Sequence, residues 1–344
     1  MPGDPQTLRQ ATADRQVRVL SLIQPTGEVH LGSYLGALRG WAADQHVQEA
    51  FHGVADLHAL TVEHDPAVLG ARTLELATVL LAVGIDPDTS TLFVQSHVHE
   101  HSQLAWLMEC TVSFGELRRM TQFKDRSDGA ESVRAGLFTY PALMAADILV
   151  YDADQVPVGD DQRQHVELAR DLAIRFNHHY GDTFVVPEAT VPTVGARVMD
   201  LAHPTRKMSK SAGSPQGRIG VLDDPRYIEH KLRRAVTDNE SEVRYDPAAK
   251  PGVSNLLELL GALTDRSPAE AAAGYTRYGD LKADVAAAVI EALAPVRQRY
   301  AELAADPAGV SAILAKGAAK ASEVASATLA RATRAIGLLP ADAG

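Results

Sequence analysis

The sequence has almost no cysteine, and what it lacks already excludes several classes of protein. Cys110 is the single cysteine in 344 residues, so the chain has no internal disulfide and no cysteine-ligated zinc or iron–sulfur site of the usual kind. One thiol fits a reducing compartment. No run approaches the roughly 18 apolar residues of a membrane-spanning helix. Residues 1–16 have no apolar core, so we expect a loose tail there, no signal peptide and a cytoplasmic location.

Basic residues are also in deficit. The 33 Lys and Arg are outnumbered by 44 Asp and Glu, which gives a net charge of −11 and argues against non-specific binding of nucleic acid or anionic membranes over the whole surface. One local basic face remains compatible with this balance. Aromatic residues make up 5% of the chain, whereas its 46% apolar and 22% charged residues are ordinary for a globular protein. The length predicts two or three domains.

Four short apolar runs predict the strands of a parallel sheet. Each run is bounded by turn residues, and helical patterns separate the runs along the chain. The predicted strands are residues 18–23, 51–55, 92–95 and 155–159. Strands that alternate with helices in this way favour an α/β domain with helices on both faces of the sheet.

Helical patterns dominate the end of the chain. Residues 201–217 are rich in proline, lysine, serine and glycine, which predicts an exposed, mobile loop, and almost no strand pattern follows it. Apolar residues at helical spacing predict helices at 225–236, 254–263, 283–303 and 307–337. The sequence therefore predicts an α/β domain, a mobile loop and a helical domain.

The first candidate site is the loop between the first predicted strand and its helix. It reads Pro-Thr-Gly-Glu-Val-His-Leu-Gly-Ser, from Pro25 to Ser33. Free N–H groups and the positive end of the helix dipole suit such a loop to an anion. Gly32 would let a ligand approach the backbone, and His30 and Ser33 could bind phosphate or ribose oxygens. Taken alone, the pattern fits an ordinary turn with a surface histidine equally well.

A second candidate loop reads Lys-Met-Ser-Lys-Ser, from Lys207 to Ser211. Two lysines three residues apart on a flexible loop could wrap a triphosphate, although alone the segment is better explained as a solvated basic linker. Together, a His-x-Gly-x loop after the first strand and a Lys-Met-Ser-Lys-Ser loop much later resemble the two signatures of the class I aminoacyl-tRNA synthetases.

Four further segments resemble the tryptophanyl-tRNA synthetases of bacteria: residues 115–124, 139–165, 195–201 and 250–257. The resemblance runs from Val17 to Gly337. It implies a Rossmann-type, doubly wound parallel sheet with an all-helical anticodon-binding domain. The implied boundaries are a flexible tail at 1–16, the catalytic domain at 17–200, the mobile lysine loop at 201–217, the helical domain at 218–305 and a C-terminal helix, packed back on the catalytic domain, within 306–344.

The resemblance also implies a reaction and its partners. L-tryptophan and ATP would give tryptophanyl-adenylate and pyrophosphate, and a homodimer would pass the aminoacyl group to tRNA(Trp). Mg²⁺ would accompany ATP on its phosphate oxygens, so no protein ligand to a metal is expected. His30, Lys207 and Lys210 would contact the transition state of the first step.

A tryptophan pocket is implied on the predicted helix that carries Met144 and Asp147. Side chains three residues apart share a helix face, so Asp147 would accept a hydrogen bond from the indole N–H while Met144 packs on the ring. The other implied pocket residues are Tyr140, Gln162, Gln24, His58, Val156 and Val158. In isolation, Asp147 would more often cap a helix or face solvent, and His58 would more often be structural.

ATP contacts are implied on both loops and after the fourth predicted strand. The implied residues are Gln24, Pro25, Thr26, Gly32, Ser33, Gly159, Asp160, Asp161, Val198, Lys207, Met208, Ser209, Lys210 and Ser211. Asp160 and Asp161 would meet the ribose, or would simply cap the next helix.

Two basic groups have both a functional and an ordinary explanation. Lys124 and Arg126 resemble a pair that reaches toward pyrophosphate. Lys231, Arg233 and Arg234 could form a basic face for tRNA. Solvated charge, or ion pairs with neighbouring carboxylates, accounts for either group equally well.

Four residues depart from the family pattern: Ser33 stands where asparagine is frequent, Ala212 stands where aspartate is frequent, and the other two are leucines of the first predicted strand. Leu22 stands where glycine is common and Leu20 where phenylalanine is common, which leaves the shape of the indole pocket and its affinity for substrates and inhibitors open. Two alternative functions also stay open: a tyrosyl-tRNA synthetase, and a synthetase-like paralogue with a regulatory or resistance role.

Overall fold

The predicted strands lie in one parallel sheet in the computed structural model, which describes residues 15–127, 132–159, 162–190, 198–209 and 215–339. The strands are β1 (Arg18–Ile23), β2 (Glu49–Val54), β3 (Thr91–Val94), β4 (Gln155–Pro157) and β5 (Glu188–Thr190). Their order across the sheet is β3-β2-β1-β4-β5. Strand β5, which the sequence did not predict, pairs with β4 along its whole length.

The strand order reverses at β1. On one side β1 pairs with β2 over six residues, and on the other it pairs with β4, with Val19 opposite Gln155. In doubly wound sheets, ligands bind in the crevice beyond the carboxyl ends of the strands at such a reversal. The fold therefore predicts a ligand-binding site at the loops that follow β1 and β4.

Helices connect the strands and cover both faces of the sheet. Helix α1 begins as Leu31–Ser33, continues through a π-helical turn at Tyr34–Leu38 and ends as Arg39–Asp44. The helices that follow are α2 (Asp56–Ala59), α3 (Pro66–Ala82), α4 (Glu100–Thr111), α5 (Phe114–Arg119), α6 (Thr121–Ser127), α7 (Ala135–Leu149) and α8 (Arg163–Tyr180). The capping residues act as the sequence predicts: the Asp65 carboxylate accepts the Ala67 N–H at 2.9 Å, and Gly181 ends α8 with a φ of 92°.

The described part of the chain after β5 contains isolated bridges and helices but no further strand. The helices are α9 (Pro225–Arg233), α10 (Pro251–Thr264), α11 (Pro268–Ala272), α12 (Tyr278–Ala304) and α13 (Pro307–Ala335). Among the described helices, none is long and apolar enough to cross a bilayer.

One apolar core joins the sheet to the helical half. Leu80 of α3 and Val94 of β3 belong to the same buried cluster as Val253 of α10 and Val285 of α12. The opposite face of the sheet has its own core, in which Leu20 and Phe51 pack with α4, α7, α8 and α13. The helical half is therefore continuous with the first of these cores.

Helix α13 returns to the sheet and lies against its edge strand, β3. A side chain at Gly317 would collide with the carbonyl oxygen of Leu92, so glycine permits this close approach. The hydroxyls of Ser322 and Ser326 both donate to the Glu100 carboxylate. The last helix thus covers an edge that would otherwise be open to pairing with another strand.

Candidate active site

The first signature loop leaves β1 and enters α1. Gly27 adopts a φ of 70°, a backbone conformation that favours glycine. His30 is buried and caps α1, where its Nδ1 accepts the Ser33 N–H at 3.2 Å. The loop is braced by a distant segment, because Leu31 N–H donates to the Ile219 carbonyl at 2.8 Å.

The second signature begins in a hairpin that spans residues 198–208. Met199 and Lys207 form an antiparallel bridge, and the Met208 N–H donates to the Val198 carbonyl at 3.0 Å. Val198 and Met208 are buried, whereas the Lys207 side chain is exposed. Asn255 of α10 holds the hairpin through both backbone groups of Met199. Its Oδ1 accepts the Met199 N–H at 2.9 Å, and its Nδ2 donates to the Met199 carbonyl at 3.1 Å.

The two signature loops meet in space. A Cβ added at Gly32 would lie 3.1 Å from the His30 Nδ1 and 3.5 Å from the Met208 Cβ. Gly32 is therefore packed between the histidine of its own loop and the methionine of the second loop. Lys207 directly precedes that methionine, which places its backbone near the amino end of α1, where a bound anion would be stabilised.

A buried carboxylate lies on α7, on the other face of the sheet. Asp147 is fully buried and accepts three hydrogen bonds. Its Oδ2 accepts from the His58 Nε2 at 2.6 Å, and its Oδ1 accepts from the Gln95 Nε2 and the His101 Nδ1, both at 2.7 Å. Burial opposes ionisation, but attraction to His58 and the hydrogen bonds from His101 and His58 outweigh it and hold the pKa of Asp147 well below its usual range.

Several apolar residues of the predicted pocket lie on the same face of the sheet as Asp147. Leu22, Met144 and Val158 pack against the same core as α7, and Val156 is buried in it. The Tyr140 hydroxyl and the His165 Nε2 lie 2.7 Å apart, and the Tyr140 and His58 rings meet edge to face at 6.2 Å. The predicted tryptophan residues Met144, Asp147, Tyr140 and His58 are therefore brought together, with Val156 and Val158 on the neighbouring strand and loop.

Leu22, which departs from the family pattern, has room because of its neighbour on β2. It lies opposite Gly53 in the strand register, and a Cβ at Gly53 would come within 2.5 Å of the Leu22 Cδ2. Leu22 therefore occupies the space that glycine leaves on the next strand.

The remaining predicted residues are placed as follows. Gln24 is half-buried, Pro25 is buried and Thr26 is exposed on the first loop, while Gly159 is exposed and Gln162 directly precedes α8. Ser209 is half-buried beyond the hairpin, and Lys124 is exposed on α6. Asp160, Asp161, Lys210, Ser211 and the side chain of Arg126 lie outside the described residues.

The predicted basic face divides into two parts. Arg233 and Arg234 are exposed at the end of α9. Lys231 is buried instead: its Nζ binds the Asp223 carboxylate at 2.7 Å and lies 3.9 Å from the centre of the Tyr227 ring. Its ammonium group is therefore bound within the protein, and Arg233 and Arg234 are the exposed part of the predicted face.

Three functional candidates were missed by sequence reasoning: Gln95, His101 and Tyr151. Gln95 directly follows β3, so its place at the carboxyl end of a parallel strand was a usable signal. His101 and Tyr151 are buried in helical or turn segments, and nothing in the pattern of neighbouring residues distinguishes them.

Known proteins share this architecture along most of the chain. The family described as tRNA synthetases class I (W and Y) matches residues 12–294. Tryptophan–tRNA ligase 1 of Streptomyces coelicolor is 54% identical over 328 residues, which cover 94% of this chain and 98% of that protein. The crystal structure of tryptophanyl-tRNA synthetase from Mycoplasma pneumoniae is 36% identical with a TM-score of 0.87, covering 94% of this chain and 99% of that one. The Campylobacter jejuni enzyme, solved with ADP and tryptophan, is 33% identical with a TM-score of 0.82, covering 94% and 100%.

Proposed function

The chain belongs to the class I tRNA synthetases for tryptophan and tyrosine, and we propose that it activates L-tryptophan with ATP and transfers the amino acid to tRNA(Trp). The observation that carries the proposal is the fully buried Asp147 carboxylate, which accepts hydrogen bonds from His58, Gln95 and His101. Tryptophan is favoured over tyrosine because the relative that is 54% identical is named a tryptophan–tRNA ligase. The retained His30 and Lys207 favour a working enzyme over a paralogue that has lost the reaction.

Asp147 selects the substrate in this proposal. The indole N–H donates to its Oδ2, while Leu22, Met144 and Val158 pack against the ring. A ligand without a donor, such as phenylalanine, would leave the buried carboxylate one partner short, and such a loss can reach about 10⁴–10⁵ in discrimination. Tyr140, Gln162 and Gln24 hold the α-amino end of the amino acid.

The first chemical step is a displacement at the α-phosphorus of ATP. A carboxylate oxygen of tryptophan attacks that phosphorus, the new P–O bond forms, and the bond to the bridging oxygen breaks so that pyrophosphate leaves with the electron pair. In the second step a hydroxyl of the terminal ribose of tRNA attacks the carbonyl carbon and loses its proton, the new ester C–O bond forms, and the bond to the phosphate oxygen breaks so that AMP leaves with the electron pair. No side chain forms a covalent bond, so catalysis consists of positioning and of stabilising charge.

The two signature loops hold the phosphates. Gln24, Pro25, Thr26, Gly32 and Ser33 line the first loop, where the N–H groups at the start of α1 and the His30 ring meet phosphate oxygens. Lys207 and Lys210 stabilise the negative charge of departing pyrophosphate, with Met208, Ser209 and Ser211 completing the loop and Lys124 and Arg126 reaching toward the same group. Gly159, Asp160 and Asp161 meet the ribose, and Val198 lies beside the adenine.

Magnesium accompanies ATP. The described residues include no group of three or more histidine, cysteine or carboxylate side chains that could hold a metal ion, and in this proposal the ion is held by the phosphates themselves. When bound there, Mg²⁺ supplies further neutralisation of phosphate charge.

The enzyme acts as a homodimer in the cytoplasm, where tRNA is charged for translation. Trp106 on α4 is 65% exposed and Phe114 on α5 is 70% exposed, an unusual exposure for large aromatic side chains. The exposure of these two rings supports a contact between two copies of the chain at α4 and α5. Arg233 and Arg234 supply the phosphate contacts to tRNA.

Pyrophosphate exchange into ATP, measured separately with each of the twenty amino acids, tests the proposal. Exchange should require tryptophan, and total tRNA should then accept tryptophan from the purified enzyme. Exchange with tyrosine in place of tryptophan would support the tyrosyl alternative. Tryptophan-dependent exchange without tRNA charging would support a paralogue.

A further inference from the structure

The two oxygens of Asp147 have different environments. Oδ1 accepts two hydrogen bonds from fully buried side chains, Gln95 and His101. Oδ2 accepts one, from His58. A carboxylate oxygen has two lone pairs, so Oδ1 is saturated and Oδ2 retains one acceptor position. Only Oδ2 can therefore take the indole N–H without breaking an existing bond.

His101 lies between Asp147 and a second buried group. Its Nδ1 is 2.7 Å from the Asp147 Oδ1, and its Nε2 is 2.8 Å from the Tyr151 hydroxyl. Because an ionised carboxylate is an acceptor only, Nδ1 carries the proton. In the neutral imidazole Nε2 then accepts the Tyr151 O–H, so the tyrosine fixes both the tautomer and the orientation of the ring.

Tyr151 is itself held rigidly. Its ring is fully buried and stacks on Phe51 at 4.9 Å, with Phe93 at 5.5 Å between ring centres. Burial, together with the carboxylates of Asp147 and Glu100, raises the pKa of Tyr151 well above its usual value, so its hydroxyl keeps the proton that it donates.

Gln95 is oriented by the backbone. Its Oε1 accepts the Leu57 N–H at 3.1 Å, which directs its Nε2 to Asp147. Both donors to Oδ1 therefore have their own fixed partners. Together they hold the Asp147 carboxylate in one orientation.

We propose that Tyr151, acting through His101, is a positioning residue that directs Oδ2 of Asp147 to the indole N–H and so sets the discrimination between tryptophan and ring analogues that lack this N–H. The proposal rests on the role assigned to Asp147 above. Tyr151 touches no substrate atom in this arrangement. Its effect reaches tryptophan solely through the direction of one hydrogen bond.

A purely structural role for Tyr151 predicts a different result. If its hydroxyl merely stabilised the core, its removal would lower activity toward all ring-shaped substrates to the same extent. A positioning role affects only the substrate that donates to Oδ2. The ratio of kcat/KM for tryptophan to kcat/KM for L-3-(3-benzothienyl)alanine, which carries sulfur in place of the indole N–H, separates the two roles.

The experiment compares Tyr151→Phe with the parent enzyme in pyrophosphate exchange with both amino acids. Tyr275→Phe serves as the matched control, because it removes a hydroxyl that binds the Asp284 carboxylate at 2.7 Å outside the site. We expect Tyr151→Phe to lower the ratio about fivefold, the effect of one net hydrogen bond, with kcat/KM for the analogue unchanged. His101→Leu removes both ends of the link and should lower the ratio further. Thermal unfolding of each variant checks that it is folded.

Asp147→Asn distinguishes failure of this inference from failure of the proposed site. If the parent does not prefer tryptophan to the analogue, or Asp147→Asn keeps that preference, the indole acceptor is assigned wrongly and the inference falls with it. If Asp147→Asn loses the preference while Tyr151→Phe keeps the parent's ratio, or lowers both substrates equally, the positioning role alone is overturned.

Discussion

At the scale of single residues, the selectivity of Asp147 depends on its being buried and ionised together. A buried carboxylate without donors would take up a proton and lose its value as an acceptor. Here His58, Gln95 and His101 supply those donors. A substrate that leaves the remaining acceptor position unfilled incurs a desolvation cost of about 1–3 kcal/mol, and more for a charged group.

The two leucines that depart from the family pattern are accommodated by neighbouring residues. Leu20 is buried in the core on the α7 face of the sheet, and Leu22 fills the space over Gly53. Neither substitution removes a hydrogen-bonding group. The packing of Leu22 could not be read from one sequence, because it depends on Gly53 across the strand.

His52 on β2 gives the protein an acid-sensitive element. The ring is buried, stacks on Trp41 at 5.2 Å, and neither ring nitrogen has a partner among the described residues. Burial lowers the pKa of His52 from 6.5 to about 4. Between these values the unfolded chain binds the proton more readily than the folded one, so the free energy of unfolding falls as the pH drops from 6.5 to 4.

We predict that His52→Phe, which keeps a stacked ring, flattens this part of the stability profile. Thermal unfolding at several pH values gives the slopes, and His64→Phe at an exposed position is the matched control. Equal slopes for parent and His52→Phe would mean that His52 takes up its proton without cost in the folded state.

At the scale of elements, the second signature loop is held by the helical half of the chain. Asn255 of α10 binds both backbone groups of Met199, and Met199 pairs with Lys207. Met208 then packs against Gly32 at the start of α1. A shift of α10 would therefore move the hairpin that carries Lys207 relative to the first loop.

Lys207→Ala should slow adenylate formation and leave tryptophan affinity nearly unchanged. The lysine is exposed beside the phosphate loop and remote from Asp147, and removal of one preorganised charge typically costs about 10²–10³ in rate. Single-turnover rates with ATP and tryptophan measure the effect. Lys316→Ala, a change at an exposed lysine on α13, should be neutral, and a Lys207→Ala rate within about twofold of the parent would contradict the role.

The elements that sequence reasoning found and those it missed differ in a physical way. The strands β1 to β4 are apolar runs bounded by turn residues, and the helices after residue 217 carry clear apolar stripes, so both were predictable. Strand β5 reads Glu-Ala-Thr and contains no apolar run. Helix α4 buries the polar residues Glu100 and His101 beside Leu104, so its buried face does not show the apolar spacing that predicts a helix.

The same contrast holds for the site. Its signature loops and Asp147 were reached through resemblance to a family. The three donors to Asp147 come from three separate segments of the chain, so no local pattern joins them. The burial of Lys231 was equally hidden, because its partner Asp223 lies before the helix that carries it.

At the scale of the whole molecule, the net charge of −11 opposes the binding of a polyanion such as tRNA. A local basic surface resolves the conflict, and Arg233 and Arg234 are exposed at the end of α9. Arg233→Ala/Arg234→Ala should weaken tRNA binding and flatten its salt dependence by about one unit of slope per lost phosphate contact. Tryptophan activation without tRNA should stay unchanged.

Affinity for tRNA at several salt concentrations checks this, with Lys316→Ala/Lys320→Ala on α13 as a control that removes the same charge. Parallel lines for the arginine variant and the parent would mean that these arginines touch no phosphate. A slope change of the same size in the lysine variant would show that the salt dependence of tRNA affinity follows the total charge of the protein and not the arginines at the end of α9.

The whole account depends on tryptophan recognition by a buried carboxylate, and Asp147→Asn in the pyrophosphate exchange assay tests it most directly. The amide keeps the size of the side chain but loses the charge-assisted hydrogen bond, an interaction of about 1.5–3 kcal/mol, so kcat/KM for tryptophan should fall roughly 10- to 100-fold. The KM for ATP should not change, because the phosphate loops lie elsewhere. A kcat/KM for tryptophan equal to that of the parent would contradict the account.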